Sequence, residues 1–427
     1  MALTGRFVAL TLLGVLLAIA STGVVLLYAA ALAVVAVGDV ALAGRIGDLR
    51  LERQPSSAVR LGETGESRLR VTNDGRRTVR ATVRDAWVPS AGVRPARHDV
   101  VVPRAERRVL VTALRPTRRG ERRATFVIVR SFGPLGLLAR QRRLPAPGSV
   151  RVLPAFTSRR YLPEKLSRLR QLDGVVLVRQ RGQGTEFDSL RTYVLGDDVR
   201  SIDWRATARS RELVVRTWRP ERDRRVVLAL DTGRSAATRI GDEPRLDAAL
   251  DAALLVAAVA ARAGDRIGLV AADVAVRARL GATSGDRVLP SLVDALTPLE
   301  PNLVETDPQL LAGEVLRQGG PRALVILFGS LDTGADTGLV PAARSLAARH
   351  EVVVASVADP ALGRMRGAVA STSEVYRAAA AELAIASRDR VADQLRRLGV
   401  HVVDAPADRF ASRVADVYLD LKAAGRL

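Results

Sequence analysis

Residues 224–237 read "RRVVLALDTGRSAA". A short unbroken apolar run, Val226 to Leu230, ends in an acid, Asp231, and a turn follows. A run this short and continuous is the signature of a strand buried on both faces, as in parallel sheets. Outward from it the grammar repeats. "PRLDAALDAALLVAAVAARAG" (244–264) reads as a helix closed by Gly264. "DRIGLVAAD" and "VAVRARL" make a hairpin, and "RALVILFG" (322–329), "HEVVVASVAD" (350–359) and "VHVVDAP" (400–406) are further buried strands with helices between them. Strands alternating with helices imply a mostly parallel sheet covered on both faces, a doubly wound α/β domain over 224–427. Ligands of such sheets bind beyond the carboxyl ends of the strands.

At that edge lies "LDTGRSAA" (230–237). An acid ending a first strand, with hydroxyls two and four positions on, can hold a hard cation such as Mg²⁺ through oxygen ligands. The loop resembles the Asp-x-Ser-x-Ser motif of von Willebrand factor A domains. The resemblance implies a site completed by a Thr from a later loop and an Asp after the fourth strand. Carried over, it yields Asp231, Ser235 and Thr306 as ligands. Gly233 stands where the first Ser belongs, and Ser330 where the late Asp belongs, with Asp332 two residues on. The competing reading makes Asp231 a cap for the following turn, bound to backbone amides.

The segment before this domain, "GQGTEFDSLRTYVLGDDVRSIDWRATARSRELVVRTWRPE" (182–221), is dense in charge. It resembles the domain of unknown function 58 family at Gly184, Glu186, Phe187, Arg191, Tyr193, Gly196, Asp197, Asp198, Arg200, Asp203, Trp204, Arg209 and Glu221, among others. "RRGERRATFVIVRSFGPLGLL" (118–138) resembles that family's strand running into a turn. Each acid of the tract has an arginine nearby in sequence: Arg191, Arg200, Arg205 or Arg209. Guanidinium forks hold carboxylates bidentately and stack on rings such as Trp204 and Tyr193. The expectation is an ion-pair and aromatic clasp that fixes "ELVVRTW" against the α/β sheet. A partner-docking surface is the second reading. Acid/base chemistry by paired carboxylates is the third, and it requires a cleft that shifts their pKa values.

From about 50 to 155 the apolar period is two and turns recur, as in "SRLRVTNDGRRTVRATVRDAW". This predicts an all-β, immunoglobulin-like sandwich over 46–155, with 156–223 as linker and charged tract. Residues 7–37 carry no charge. They predict a transmembrane anchor within 1–45, best as a helical hairpin of about 6–20 and 23–43, since "AST" and Gly23 interrupt the run. One tilted span, or a signal peptide cleaved near "ALA" (31–33), are the alternatives. Arg6 before the run and Arg45, Arg50, Arg53 and Arg60 after it place the soluble part in the cytoplasm, at the inner or cell membrane.

The net charge of +21 is uneven. Residues 45–225 hold 41 Arg and one Lys against 19 acids, whereas 226–427 hold 23 basic residues against 25 acids. Coding bias accounts for arginine over lysine. The confinement of the excess to one half points to an anionic surface, such as membrane lipid. There is no cysteine, which excludes disulfides and thiolate chemistry. No phosphate loop precedes Lys165 or Lys422, and His98, His350 and His401 lack metal spacing. Nothing resembles a nucleic-acid-binding module. The family resemblance implies a MoxR-type AAA+ ATPase as partner, in protein assembly or maturation, beside other membrane proteins of the same cluster. The leading expectation is therefore a membrane-anchored adaptor with no catalytic set. A cation-dependent ligand-binding domain and an unrecognised enzyme stand behind it.

Overall fold

The computed structural model describes residues 2–16, 22–179, 186–195, 197–210, 212–219, 224–318, 320–332, 338–368 and 370–427. The chain forms two compact units, Met1–Ala155 and Phe156–Leu427.

The first unit begins with two apolar helices, Gly5–Leu16 and Thr22–Leu42. The second spans about 31 Å at 1.5 Å per residue and, among the described residues, alone is long and apolar enough to cross a membrane. The first reaches only about 18 Å. The two pack closely: Tyr28 Oη donates to the Leu10 carbonyl at 2.8 Å, and a side chain on Gly14 would collide with the Tyr28 ring.

Two sheets follow. Leu49–Arg53, Gly65–Asn73, Arg107–Leu114 and Val93–Arg94 form one. The other is built on Val79–Trp87, Arg97–Val102, Gly120–Phe132 and Leu138–Leu153. Val79–Trp87 buries every second residue, as the period-two pattern requires. Leu69, Val71 and Leu110 of one sheet meet Val79, Val83, Val127 and Val129 of the other in a shared core, which makes a sandwich. Inside it lies an ion pair. Arg53 grips both oxygens of Asp85 at 2.6 and 2.9 Å and donates to Ser67 Oγ at 2.7 Å, with its guanidinium 5.0 Å from the Trp87 ring centre. Trp87 Nε1 donates to Asp85 at 2.9 Å, and both charged side chains are 2% exposed.

In the second unit six strands lie in the order Val276–Thr283, Arg266–Ala272, Arg225–Asp231, Leu324–Phe328, Glu351–Ala358, His401–Pro406. Only the first pairing is antiparallel. Helices Arg245–Arg262, Val288–Leu296 and Ala407–Ala423 cover one face; Pro308–Gln318, Leu339–Ala347 and Thr372–Arg397 cover the other. The sheet is doubly wound. The order of winding reverses between Arg225–Asp231 and Leu324–Phe328, which opens a crevice at their carboxyl ends.

The stretch expected as a linker is in part a piece of this unit. Helix Leu162–Arg179 packs Leu162, Leu166 and Leu169 on the core beside the Arg245–Arg262 helix. Asp251 of that helix accepts the Ser158 amide at 3.1 Å and the Thr157 hydroxyl at 2.8 Å. Burial pushes the Asp251 carboxyl up, and these hydrogen bonds offset part of the push. Buried Lys165 binds Asp416 at 2.8 Å and Glu164 at 3.0 Å.

Candidate functional site

Two regions carry the expected site residues. The first is the crevice where the sheet reverses. Asp231 is the last residue of its strand, paired with Ala272 on one side and directly following Leu230, which pairs with Phe328 on the other. Its Oδ1 accepts the Gly233 amide at 2.7 Å and the Thr306 hydroxyl. Its Oδ2 accepts Ser235 Oγ at 2.5 Å. Asp231, Ser235 and Thr306 thus converge, although Thr306 lies 75 residues away.

Thr306 is delivered by a loop tied to the sheet through Asp273, whose side chain is fully buried. Asp273 accepts Asn302 Nδ2 at 2.6 Å, Arg277 Nε at 2.7 Å and the Ala275 amide at 3.0 Å. Burial pushes the Asp273 carboxyl up, but these hydrogen bonds outweigh it and bring its pKa down to about 2.

The donor set does not fit a resident divalent cation. A Cβ at Gly233 would lie 2.1 Å from Thr306 Oγ1 and 2.7 Å from the Val304 carbonyl, so the place of the absent Ser is filled. The late-Asp position, Ser330, faces a cation already built into the chain. Arg245, 5% exposed, donates to Ser330 Oγ at 2.7 Å and to the Ser235 carbonyl at 3.4 Å, and pairs with Asp332. Asp332 also binds the buried Arg388, which reaches Asp404 at 2.6 Å and Ser356 Oγ at 3.4 Å. Burial pushes the Asp332 carboxyl up, but Arg245 and Arg388 more than reverse it. Burial dominates at Asp404, whose pKa is raised despite Arg388. A hard cation needs oxygen ligands and is repelled by a guanidinium. Among the described residues no cluster of three or more His, Asp or Glu could hold a metal. Arg245, Arg388 and Asp404 went unread in the sequence, where nothing local marks them.

The second region is the charged tract. Glu186–Thr192 and Val214–Arg219 pair with each other as a two-stranded antiparallel ribbon. "ELVVRTW", expected to be fixed against the α/β sheet, supplies the strand Val214–Arg219, whose ladder partner is the first half of its own tract. Glu186 and Phe187 lie in the ribbon, Phe187 opposite Trp218. Gly184, Gly196 and Glu221 lie outside the described residues.

The carboxylates hold local structure. Asp197 accepts Arg191 at 2.6 Å and the Val194 amide at 2.9 Å. Asp198 caps a short turn through the Arg200 amide at 2.9 Å. Asp203 caps the helical turn Trp204–Thr207 through the Arg205 and Ala206 amides, both at 3.0 Å, and binds Arg216 at 2.8 Å. Arg200 and Arg205 thus serve these acids with backbone amides, and Asp203 takes its guanidinium from Arg216 on the facing strand. The Arg191 hydrogen bond lowers the Asp197 pKa, and the Arg216 bond lowers that of Asp203. Lowered carboxylates are poor general bases at neutral pH. Tyr193 is half-buried and its amide donates to the Leu213 carbonyl at 2.7 Å, whereas Arg209 is exposed. Trp204 is 68% exposed and Leu195 96%, with Val194 and Val199 also in solvent.

Residues 189–393 match a family described as a protein of unknown function, DUF58. Uncharacterized proteins of Mycobacterium tuberculosis and Mycobacterium bovis are 29% identical over 196 residues, 44% of this chain. The chain spans 61% of the length of these curated relatives. Among solved structures, the conserved hypothetical protein BatB from Bacteroides thetaiotaomicron aligns over 47% of this chain and 99% of its own, at 16% identity and a TM-score of 0.33. A PapD-like domain of human CEP192 aligns over 25% of this chain and 87% of its own, at 16% identity and a TM-score of 0.20.

Proposed function

We propose that the chain is a membrane-anchored, non-enzymatic adaptor that works with a MoxR-type AAA+ ATPase in protein assembly or maturation. The observation that carries this reading is the tract's division of labour. Asp197, Asp198 and Asp203 are spent on caps and internal pairs, while Trp204, Leu195, Val194 and Val199 face solvent. Exposed large apolar side chains, Trp above all, characterise binding surfaces. Asp197, Asp198 and Asp203, tied to amides and guanidinium groups, are poorly placed to act as free bases. The α/β unit is taken as a von Willebrand factor A-like binding domain with a metal-free edge. The apolar second helix is taken as the anchor, and the flanking arginines put both units in the cytoplasm facing anionic lipid.

Affinity purification from native membranes with mass spectrometry tests the proposal. An AAA+ ATPase should be enriched with the wild type and reduced at least about tenfold by Trp204→Ala, a loss of about 1.4 kcal/mol. Absence of any ATPase while the protein stays folded would overturn it.

A further inference from the structure

The turn written Gly-Pro-Leu-Gly-Leu, residues 133–137, is bound to both ends of the helical pair. Asp39, near the end of the second helix and 2% exposed, accepts the Leu135 amide at 2.7 Å and the Leu137 amide at 2.8 Å. At the start of the first helix, Thr4 Oγ1 donates to the Gly136 carbonyl at 2.8 Å, the Thr4 amide to the Leu137 carbonyl at 3.4 Å, and Arg6 to the Leu135 carbonyl at 3.0 Å. The Gly136 amide donates to the Gly133 carbonyl at 3.2 Å. Every amide and carbonyl of residues 135–137 is thereby paired within the protein. A turn in water does not need this, but one entering a medium without water does. The close approach depends on glycine: a Cβ at Gly133 would lie 2.2 Å from the Asp39 carbonyl.

What the turn shows outward is apolar. Leu135 is 54% exposed, Leu3 63% and Leu42 57%. A single exposed leucine is ordinary. These three come from separate segments and surround one point, since Ala2–Leu3 pairs with Leu138–Ala139 and Leu42 follows Asp39 by three residues. They continue the exposed apolar surface of the second helix, which includes Leu27, Val34 and Val37. Arginines stand around the same place. Arg77 donates to the Ala41 carbonyl at 2.7 Å, Arg45 is exposed at the foot of the helix, and Arg140 flanks the paired Ala139. Apolar side chains with arginines beside them match the acyl boundary and anionic headgroups of a bilayer.

We propose that residues 132–138 and the Ala2–Leu3 strand form a collar in the lipid interface, so that the β-sandwich is seated on an anionic membrane. This rests on the membrane-anchor reading and goes beyond it, because an anchor alone leaves the sandwich free in water.

The absence of native cysteine makes the test direct. Leu135→Cys, Leu27→Cys and Val111→Cys variants of the full chain carry an environment-sensitive fluorophore in vesicles of phosphatidylcholine and phosphatidylglycerol. Val111, on the four-stranded sheet, is the aqueous reference. The Leu27 and Leu135 probes should shift to the blue and lose intensity to spin-labelled lipid, Leu135 most with a label near the headgroup, while Val111 does neither. Leu3→Cys repeats the measurement should the label at Leu135 disturb the turn. If Leu27 is quenched and both Leu135 and Leu3 behave like Val111, the collar is overturned and the anchor stands. If Leu27 is also aqueous, the anchor reading fails and the collar with it.

Discussion

Arg53 and Asp85 are buried together, and neither is tolerable alone. Arg53→Met leaves a carboxylate in the sandwich core with only neutral partners, Trp87 Nε1 among them. Asp85→Leu leaves a guanidinium held by Ser67 Oγ and the Ala146 carbonyl. Each single change is expected to cost about 3–5 kcal/mol, whereas the double replacement by apolar side chains should recover most of it. Thermal unfolding of the detergent-solubilised protein checks this. A double variant as unstable as either single would show that the pair is held for its shape and not for mutual neutralisation. Arg245, paired with Asp332, and Arg388, held between Asp332 and Asp404, belong to the same class of buried, paired cations.

Among elements, the loop that brings Thr306 to Asp231 is held by backbone hydrogen bonds and by one carboxylate, Asp273. Asp273 holds its pKa at about 2, whereas an unfolded aspartate titrates near about 3.9. Between these values the unfolded chain binds a proton that the native state refuses. The contribution of Asp273 is therefore complete above about pH 4 and is withdrawn as pH falls through about 2. Asp273→Asn should lower stability at neutral pH and flatten this part of the acid limb, as read from thermal midpoints between pH 4.5 and 2.5. An unchanged limb would shift the acid sensitivity to other carboxylates. The strands of both units were legible, because a buried apolar run such as Val226–Leu230 and the alternation in Val79–Trp87 are local signals. So was the convergence on Asp231, through the spacing of Ser235 and the family pattern behind Thr306. The partners of the buried cations were not. Arg245 meets Asp332 across 87 residues, Arg388 across 56, and Lys165 meets Asp416 across 251. Ion pairs at such separations leave no trace in any window of sequence. The Leu162–Arg179 helix was hidden for a different reason, its apolar stripe being interleaved with charge in "LPEKLSRLRQL".

At the scale of the whole molecule, the basic excess ends where the α/β sheet begins, but the compact unit starts earlier, at Phe156. A fragment of residues 156–427 is expected to be soluble and to unfold cooperatively. One starting at 224 uncovers the surface under Leu162, Leu166 and Leu169 and strips Asp416 of Lys165. It should aggregate or melt at least about 5 °C lower, on the scale of a few kcal/mol for a domain of this size. Equal melting of the two fragments would return 156–179 to linker status. The carboxylate at the foot of the second helix also bears on birth order. Asp39 leaves the ribosome 96 residues ahead of the Leu135 amide it accepts. At about 5–20 residues per second it waits roughly 5–20 s without that donor. During synthesis the helical pair is thus a socket made before its plug, and the seating of the sandwich is a late step that a stalled or truncated chain never reaches.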